Sequence, residues 1–180
     1  MTKNYLSLTD AFTKQLFPEQ RQPTGKDEWY TPPPIIEAAR NLMGSIDLDP
    51  ASCEAANTVV QAKQYFGIND DALQQHWGGN LWLNPPYGAR LLRAFHKKLC
   101  ESPAVTKACF LSPMVSGRHC LTLLAEAPAV AFLDWRVKGW WGPATEGKTQ
   151  PMGWGLMQVA CYGVTIEETR QAFRHLGVVR

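Results

Sequence analysis

At 180 residues the chain has the length of one domain with a sizeable core, and its 45% hydrophobic and 19% charged residues are ordinary for a globular protein. A formal net charge of +2 is too mild to establish a nucleic-acid partner, though it leaves one open if the cations gather on one face. No apolar run is long enough to span a membrane, and residues 1–17 lack the basic-then-apolar layout of a signal peptide, which points to the cytoplasm and away from a membrane partner.

Leu8, Phe12 and Leu16 keep helical spacing and predict a short docking helix over 5–17. Residues 18–26 are polar and rich in breakers, so 1–26 reads as an N-terminal arm and linker, and 27–180 as the folded domain. Thr31 before Pro32-Pro33-Pro34 predicts a helix start capped by threonine; Ile35, Ile36, Ala39, Leu42 and Met43 continue it, and Gly44 stops it. A short strand over 45–48 ends at Asp49-Pro50. A helix over 53–61, a brief strand at 65–66 and a helical turn or two over 71–77 follow.

The strand at 80–83 runs into Asn84-Pro85-Pro86-Tyr87, and 89–99 reads as an amphipathic helix with Leu91, Leu92, Phe95 and Leu99 inward. Strands are expected at 105–111, 129–133 and 156–162, helices at 120–125 and 166–176, and a long loop over 136–154. Strand–helix alternation of this kind predicts an α/β domain with a mainly parallel sheet. Ligands in such sheets bind beyond the carboxyl ends of the strands, where Asp49 and Asn84 both fall.

Asn84-Pro85-Pro86-Tyr87 carries the chemistry. Two consecutive prolines fix φ twice and remove two backbone donors, so the chain must leave the strand here as a rigid, extended turn. The Pro85 carbonyl and the Asn84 side-chain carbonyl are then neighbouring acceptors, suited to a primary amine with its two N–H donors. Accepting both hydrogens draws the nitrogen out of conjugation and frees its lone pair for attack on an activated methyl, a reaction that rests on positioning and electrostatics. Tyr87 offers a flat face for an extruded base. Asn-Pro and Pro-Pro also end strands with no further role, so the four residues count only in their context.

That context is Trp29-Tyr30-Thr31-Pro32, then Ile46-Asp47-Leu48-Asp49-Pro50-Ala51-Ser52, then Trp77-Gly78-Gly79-Asn80-Leu81-Trp82-Leu83-Asn84-Pro85-Pro86-Tyr87. In this order, and over residues 28–163, the chain resembles the phage-type DNA N-6-adenine methyltransferases. The resemblance implies a Rossmann-like methyltransferase fold with helices on both faces of a mainly parallel sheet, and methyl transfer from S-adenosylmethionine to the adenine N6 of DNA. It further implies a phage or prophage origin and action in a bacterial cytoplasm. Asn84, Pro85, Pro86 and Tyr87 match the amine-binding and base-stacking positions. Tyr30, Thr31 and Pro32 match the segment beside the cofactor's methionine end, with Trp29 next to it. Asp49, Pro50 and Ala51 match the turn that bounds the cofactor pocket, and Asp71, with Asp70 as alternative, the acidic residue that meets the cofactor's adenine amino group. One departure is visible: Asp49-Pro50-Ala51-Ser52-Cys53-Glu54 lacks the Gly-x-Gly that usually lets backbone approach the cofactor.

Asp70-Asp71 could equally begin a helix. Asp47 and Asp49 are not read as a carboxylate pair; one of them is expected to be solvated or salt-bridged. Trp77 and Trp82 are expected in the core. Arg90, Arg93 and Lys97 share one face of the helix after the motif, read either as a solvated face or as contacts to DNA phosphates. The 136–154 loop mixes cations with tryptophans and is, with the N-terminal arm, the candidate for sequence readout. Cys53, Cys100, Cys109, Cys120 and Cys161 show no C-x-x-C pair and no histidine at ligand spacing, so neither a zinc site nor a disulfide framework is expected. His76, His96, His119 and His175 read as surface or half-buried residues. Two other functions compete: methylation of another planar amine, such as a glutamine side chain or an RNA base, and a methyltransferase-like module that binds DNA without the cofactor.

Overall fold

The structure, a computed structural model, describes residues 29–114, 122, 125–134, 138–141, 149–151 and 156–180. The docking helix and linker expected over 5–26, and most of the helix expected over 120–125, lie outside them. In chain order the elements are β1 (Trp29–Tyr30), α1 (Pro33–Met43), β2 (Leu48–Asp49), α2 (Glu54–Val60), β3 (Gln64–Tyr65), β4 (Gly79–Leu83) and α3 (Ala89–Cys100). Then come β5 (Val105–Pro113), β6 (Ala129–Leu133), β7 (Lys138–Trp141), β8 (Thr149–Pro151), β9 (Met157–Tyr162), α4 (Ile166–Phe173) and β10 (Gly177–Val179).

Seven strands form one mixed sheet in the order β10-β6-β9-β5-β4-β2-β3. Side chains alternate between its faces. Trp82, Cys109, Leu111 and Val159 point to the side covered by α1, α2 and α4, where Ile35, Ala39, Val60 and Phe173 complete a cluster. Leu81, Leu83, Ala108, Phe110 and Ala160 point to the other side and meet Leu92, Phe95 and Leu99 of α3. Each of those α3 side chains contributes about 1.5–3 kcal/mol by leaving water, which is why the amphipathic pattern over 89–99 settles as a helix on this face. Trp77 and Trp82 are both buried, as expected.

The expectation of a mainly parallel sheet needs correction. β3/β2, β2/β4 and β4/β5 pair in parallel, whereas β5/β9, β9/β6 and β6/β10 pair antiparallel. β9 slots between β5 and β6, so it runs against both neighbours. Alternating helices and strands do not reveal such an insertion, because an antiparallel neighbour needs no helical crossover. The 136–154 loop is likewise not all loop: β7 and β8 pair antiparallel, and β1 joins them as a second, three-stranded sheet in the order β1-β7-β8.

β2 has β3 on one side and β4 on the other. The chain therefore steps one way through α2 and later the opposite way through α3, and these two helices lie on opposite faces. Right-handed crossovers taken in opposite directions require that placement. The carboxyl ends of β2 and β4 thus flank the point where strand order reverses, the crevice in which open α/β sheets bind ligands.

Candidate active site

Three segments converge at that crevice. β2 and β4 are level, with Leu48 opposite Leu81, so the turns that begin at Asp49 and Asn84 leave the same end of the sheet. The third segment, Tyr30-Thr31, lies across both. The Asn84 amide donates from Nδ2 to the Thr31 hydroxyl at 3.2 Å, and the Cys53 thiol, just beyond the Asp49 turn, donates to the Tyr30 hydroxyl at 3.3 Å. Thr31 was expected to cap α1. Instead Pro32 occupies that position without a side-chain cap, and the buried Thr31 hydroxyl serves Asn84.

Asn84 is fixed from its other end too, because the Tyr87 hydroxyl donates a short hydrogen bond to its Oδ1. Nδ2 on Thr31 and Oδ1 on Tyr87 together define which way the amide faces. Burial pushes the Tyr87 phenol far above its ordinary range, so it remains a neutral donor. Its ring is half-buried and packs against the clusters on both sides of the sheet. Pro85 is buried and Pro86 exposed.

Asp49 is only 2% exposed, and burial raises its carboxyl from 3.8 to about 7. The Ala51 N–H, 3.2 Å from Oδ1, opposes that shift, and no cation does so among the described residues. Ser52 sits near enough to favour the charged form, yet its buried hydroxyl makes no hydrogen bond of normal geometry among the described residues. Asp47 is different: Lys63 at 2.6 Å and the Asn80 N–H at 2.9 Å hold its carboxyl below the usual range. Gly79, at φ +72, makes room for this carboxylate, since a Cβ there would lie 2.7 Å from Asp47 Oδ2.

The loop after β3 borders the Asp49 turn through a Ser52 N–H bond to the Phe66 carbonyl at 2.9 Å. Asp70 is exposed and accepts the Gly67 N–H at 2.6 Å within the loop itself. Asp71 is exposed and in the left-handed region, at φ 43, so the helical turns expected over 71–77 shrink to a turn at 72–74. Trp29 and Tyr30 pair with Trp141 and Trp140, which binds the segment beside Thr31 to the paired strands β7 and β8. Pro32, Pro50 and Ala51 complete the corner as half-buried or buried residues.

Arg90, Arg93 and Lys97 are exposed on the outer side of α3, whose first turn follows Tyr87 closely. Lys97 lies 3.7 Å from Glu101, and Lys98 rests on the Trp77 ring at 5.3 Å. Sequence reasoning missed several features. Cys53 caps α2 through its sulfur as well as touching Tyr30. Ser112 and Gln158, both fully buried, form a polar pair inside β5 and β9, with Nε2 donating to Oγ at 3.3 Å. His96, expected at the surface or half-buried, is buried against Phe110, 2.8 Å from the Tyr162 hydroxyl. Residues 96 and 100 are one helical turn apart, a step on which the sequence reading placed no weight.

Comparison with characterised proteins and with solved structures gives no match. A model of the family described as DNA N-6-adenine-methyltransferase (Dam) matches residues 20–114, which is 95 of the 180 residues. The match takes in Tyr30-Thr31-Pro32, Asp49-Pro50-Ala51, Asp71 and Asn84 to Tyr87, all the segments that meet at or border the crevice. A match of this extent over the residues that build the corner means that the chain belongs to the DNA N-6-adenine-methyltransferase (Dam) family.

Proposed function

We propose that this chain is a Rossmann-like, S-adenosylmethionine-dependent enzyme that methylates the N6 amino group of adenine in DNA. The observation that carries the reading is the Asn84-Pro85-Pro86-Tyr87 turn, held by Thr31 beside the buried Asp49 at the switch point of the sheet. Asn84 Oδ1 and the Pro85 carbonyl accept the two hydrogens of the target amine. A carbonyl oxygen has two lone pairs, so Oδ1 can take an amine N–H beside the Tyr87 hydroxyl. Thr31 prevents the amide from rotating, so the acceptor is already oriented when the base arrives. The Tyr87 ring borders the place where an extruded base stacks.

The residues present suit the cofactor. Asp49 is a buried carboxylate without a cationic partner among the described residues, and the buried Ser52 hydroxyl, with no well-formed hydrogen bond among those residues, lies in the same turn. A ligand carrying an ammonium and a sulfonium offers the compensation that burial of such a group calls for. Ala51 and Ser52 are small, and stand where the usual glycines would. Tyr30, Thr31, Pro32, Asp49, Pro50, Ala51 and Asp71 would hold the cofactor, with Trp29 adjoining. When bound, S-adenosylmethionine supplies an activated methyl group. DNA is the substrate the family implies, and Arg90 and Arg93 are placed on the reading as phosphate contacts beside the extruded base, aided by the 136–154 segment.

The test is mass analysis of DNA from cells expressing the chain, together with turnover by Asn84→Ala. N6-methyladenine should accumulate, and Asn84→Ala should cut kcat by about 10²–10³ with little change in cofactor affinity. Methylation of RNA or of a glutamine side chain, with no N6-methyladenine in DNA, would transfer the motif to another substrate. Equal loss of kcat and cofactor binding in Asn84→Ala would mean that the role of the turn is misassigned.

A further inference from the structure

At the other end of α3, away from the Asn84 corner, a second constellation of reactive side chains has no part in the chemistry above. His96 Nε2 lies 3.5 Å from Cys100 Sγ and 3.5 Å from Glu126 Oε2, and Cys100 Sγ lies 3.6 Å from the same Glu126 oxygen. Zinc bonds of about 2.0 Å to nitrogen and oxygen and about 2.3 Å to sulfur, set at tetrahedral angles, separate neighbouring donor atoms by about 3.3–3.6 Å. The three observed separations are those of one face of a zinc tetrahedron. From this triangle we propose that His96, Cys100 and Glu126 form a zinc-binding site, with the fourth position open to water.

The donor set supports zinc over harder cations. A thiolate and an imidazole are ligands of borderline-soft metals, and calcium or magnesium would require mostly oxygen donors. One thiolate and one carboxylate balance the charge of a divalent ion, and the Cys100 proton leaves to solvent on binding. His96 and Cys100 sit four residues apart on one face of α3, while Glu126 comes from just before β6. His96 is held rigidly by stacking on Phe110, at 5.6 Å and an interplanar angle of 4°. Its Nε2 also lies 2.8 Å from the Tyr162 hydroxyl, a hydrogen bond that the nitrogen's single lone pair exchanges for the ion on binding. Cys100 is exposed and Glu126 is 48% exposed, so solvent reaches the donor cluster directly. A bound ion would clamp the last turn of α3 to the segment entering β6, 26 residues further along the chain.

The site is tested on the full chain by titrating metal-free protein with Zn²⁺ and, separately, with Co²⁺ as a spectroscopic substitute. One Zn²⁺ per chain should bind and raise Tm, and Co²⁺ should give a thiolate charge-transfer band. Cys100→Ser and Glu126→Gln, both at exposed side chains and so compatible with folding, should each weaken Zn²⁺ binding at least tenfold, and Cys100→Ser should abolish the band. Absence of binding by the wild-type chain would overturn the proposal. So would a Co²⁺ band that survives in Cys100→Ser, since the metal would then be held by another cysteine. Methylation activity is not the readout, so this proposal and the proposed function fail separately.

Discussion

Replacing Asp49 by asparagine separates the cost of a buried carboxylate from its use. The side chain is 2% exposed, and burial lifts its carboxyl from 3.8 to about 7. Because the folded value lies above the unfolded one, the native protein holds the proton longer. Stability is therefore full below about pH 4, declines as pH rises to about 7, and is level above that. The whole decline is at most about 4 kcal/mol, at 1.36 kcal/mol for each pH unit of difference. Asparagine is nearly isosteric, keeps an oxygen for the Ala51 N–H and carries no charge, so it escapes this decline. Urea unfolding of both proteins from pH 5 to 8 should show the stability of Asp49→Asn relative to wild type rising by about 2–3 kcal/mol across that range. On the proposed function the same variant should bind S-adenosylmethionine more weakly, giving stability gained at the expense of a site. Two pH profiles that run parallel would refute the reasoning, because Asp49 would then not carry the strain of an ionised, buried group.

Other residues allow equally direct tests. Thr31→Val keeps the shape but removes the acceptor of the Asn84 amide, so kcat should fall about tenfold while chemical denaturation registers a loss of only about 1 kcal/mol. Arg93→Ala, on the exposed side of α3, should reduce the slope of log affinity for DNA against log salt by about 1 if the side chain meets a phosphate, measured by fluorescence anisotropy across a salt series. Gly163→Ala should cost at least about 2 kcal/mol in urea unfolding, because the backbone there has φ +68 and the new Cβ would lie 2.0 Å from the Thr106 carbonyl oxygen.

By itself the sequence determined the main helices and the strands of the large sheet up to β9, but not the short strands β1, β7, β8 and β10. Apolar spacing placed α1 and α3, since a helical stripe has to be buried to be stable, and proline at Asp49-Pro50 and Asn84-Pro85-Pro86 ended β2 and β4 by removing backbone donors. Trp77 and Trp82 were legible as core for the same local reasons. Tertiary structure alone decided partnership. A strand edge offers the same N–H and C=O groups to any neighbour, so nothing local placed β9 between β5 and β6 or joined β1 to the pair β7 and β8. Thr31 is a plausible cap in sequence, but Asn84, 53 residues away, took its hydroxyl once the fold brought them within 3.2 Å. His96 and Cys100 are spaced for one helical face, and only the approach of Glu126 turned that face into a triangle of donors. What local chemistry leaves undecided is which groups meet, because that depends on how distant segments bury their apolar faces together.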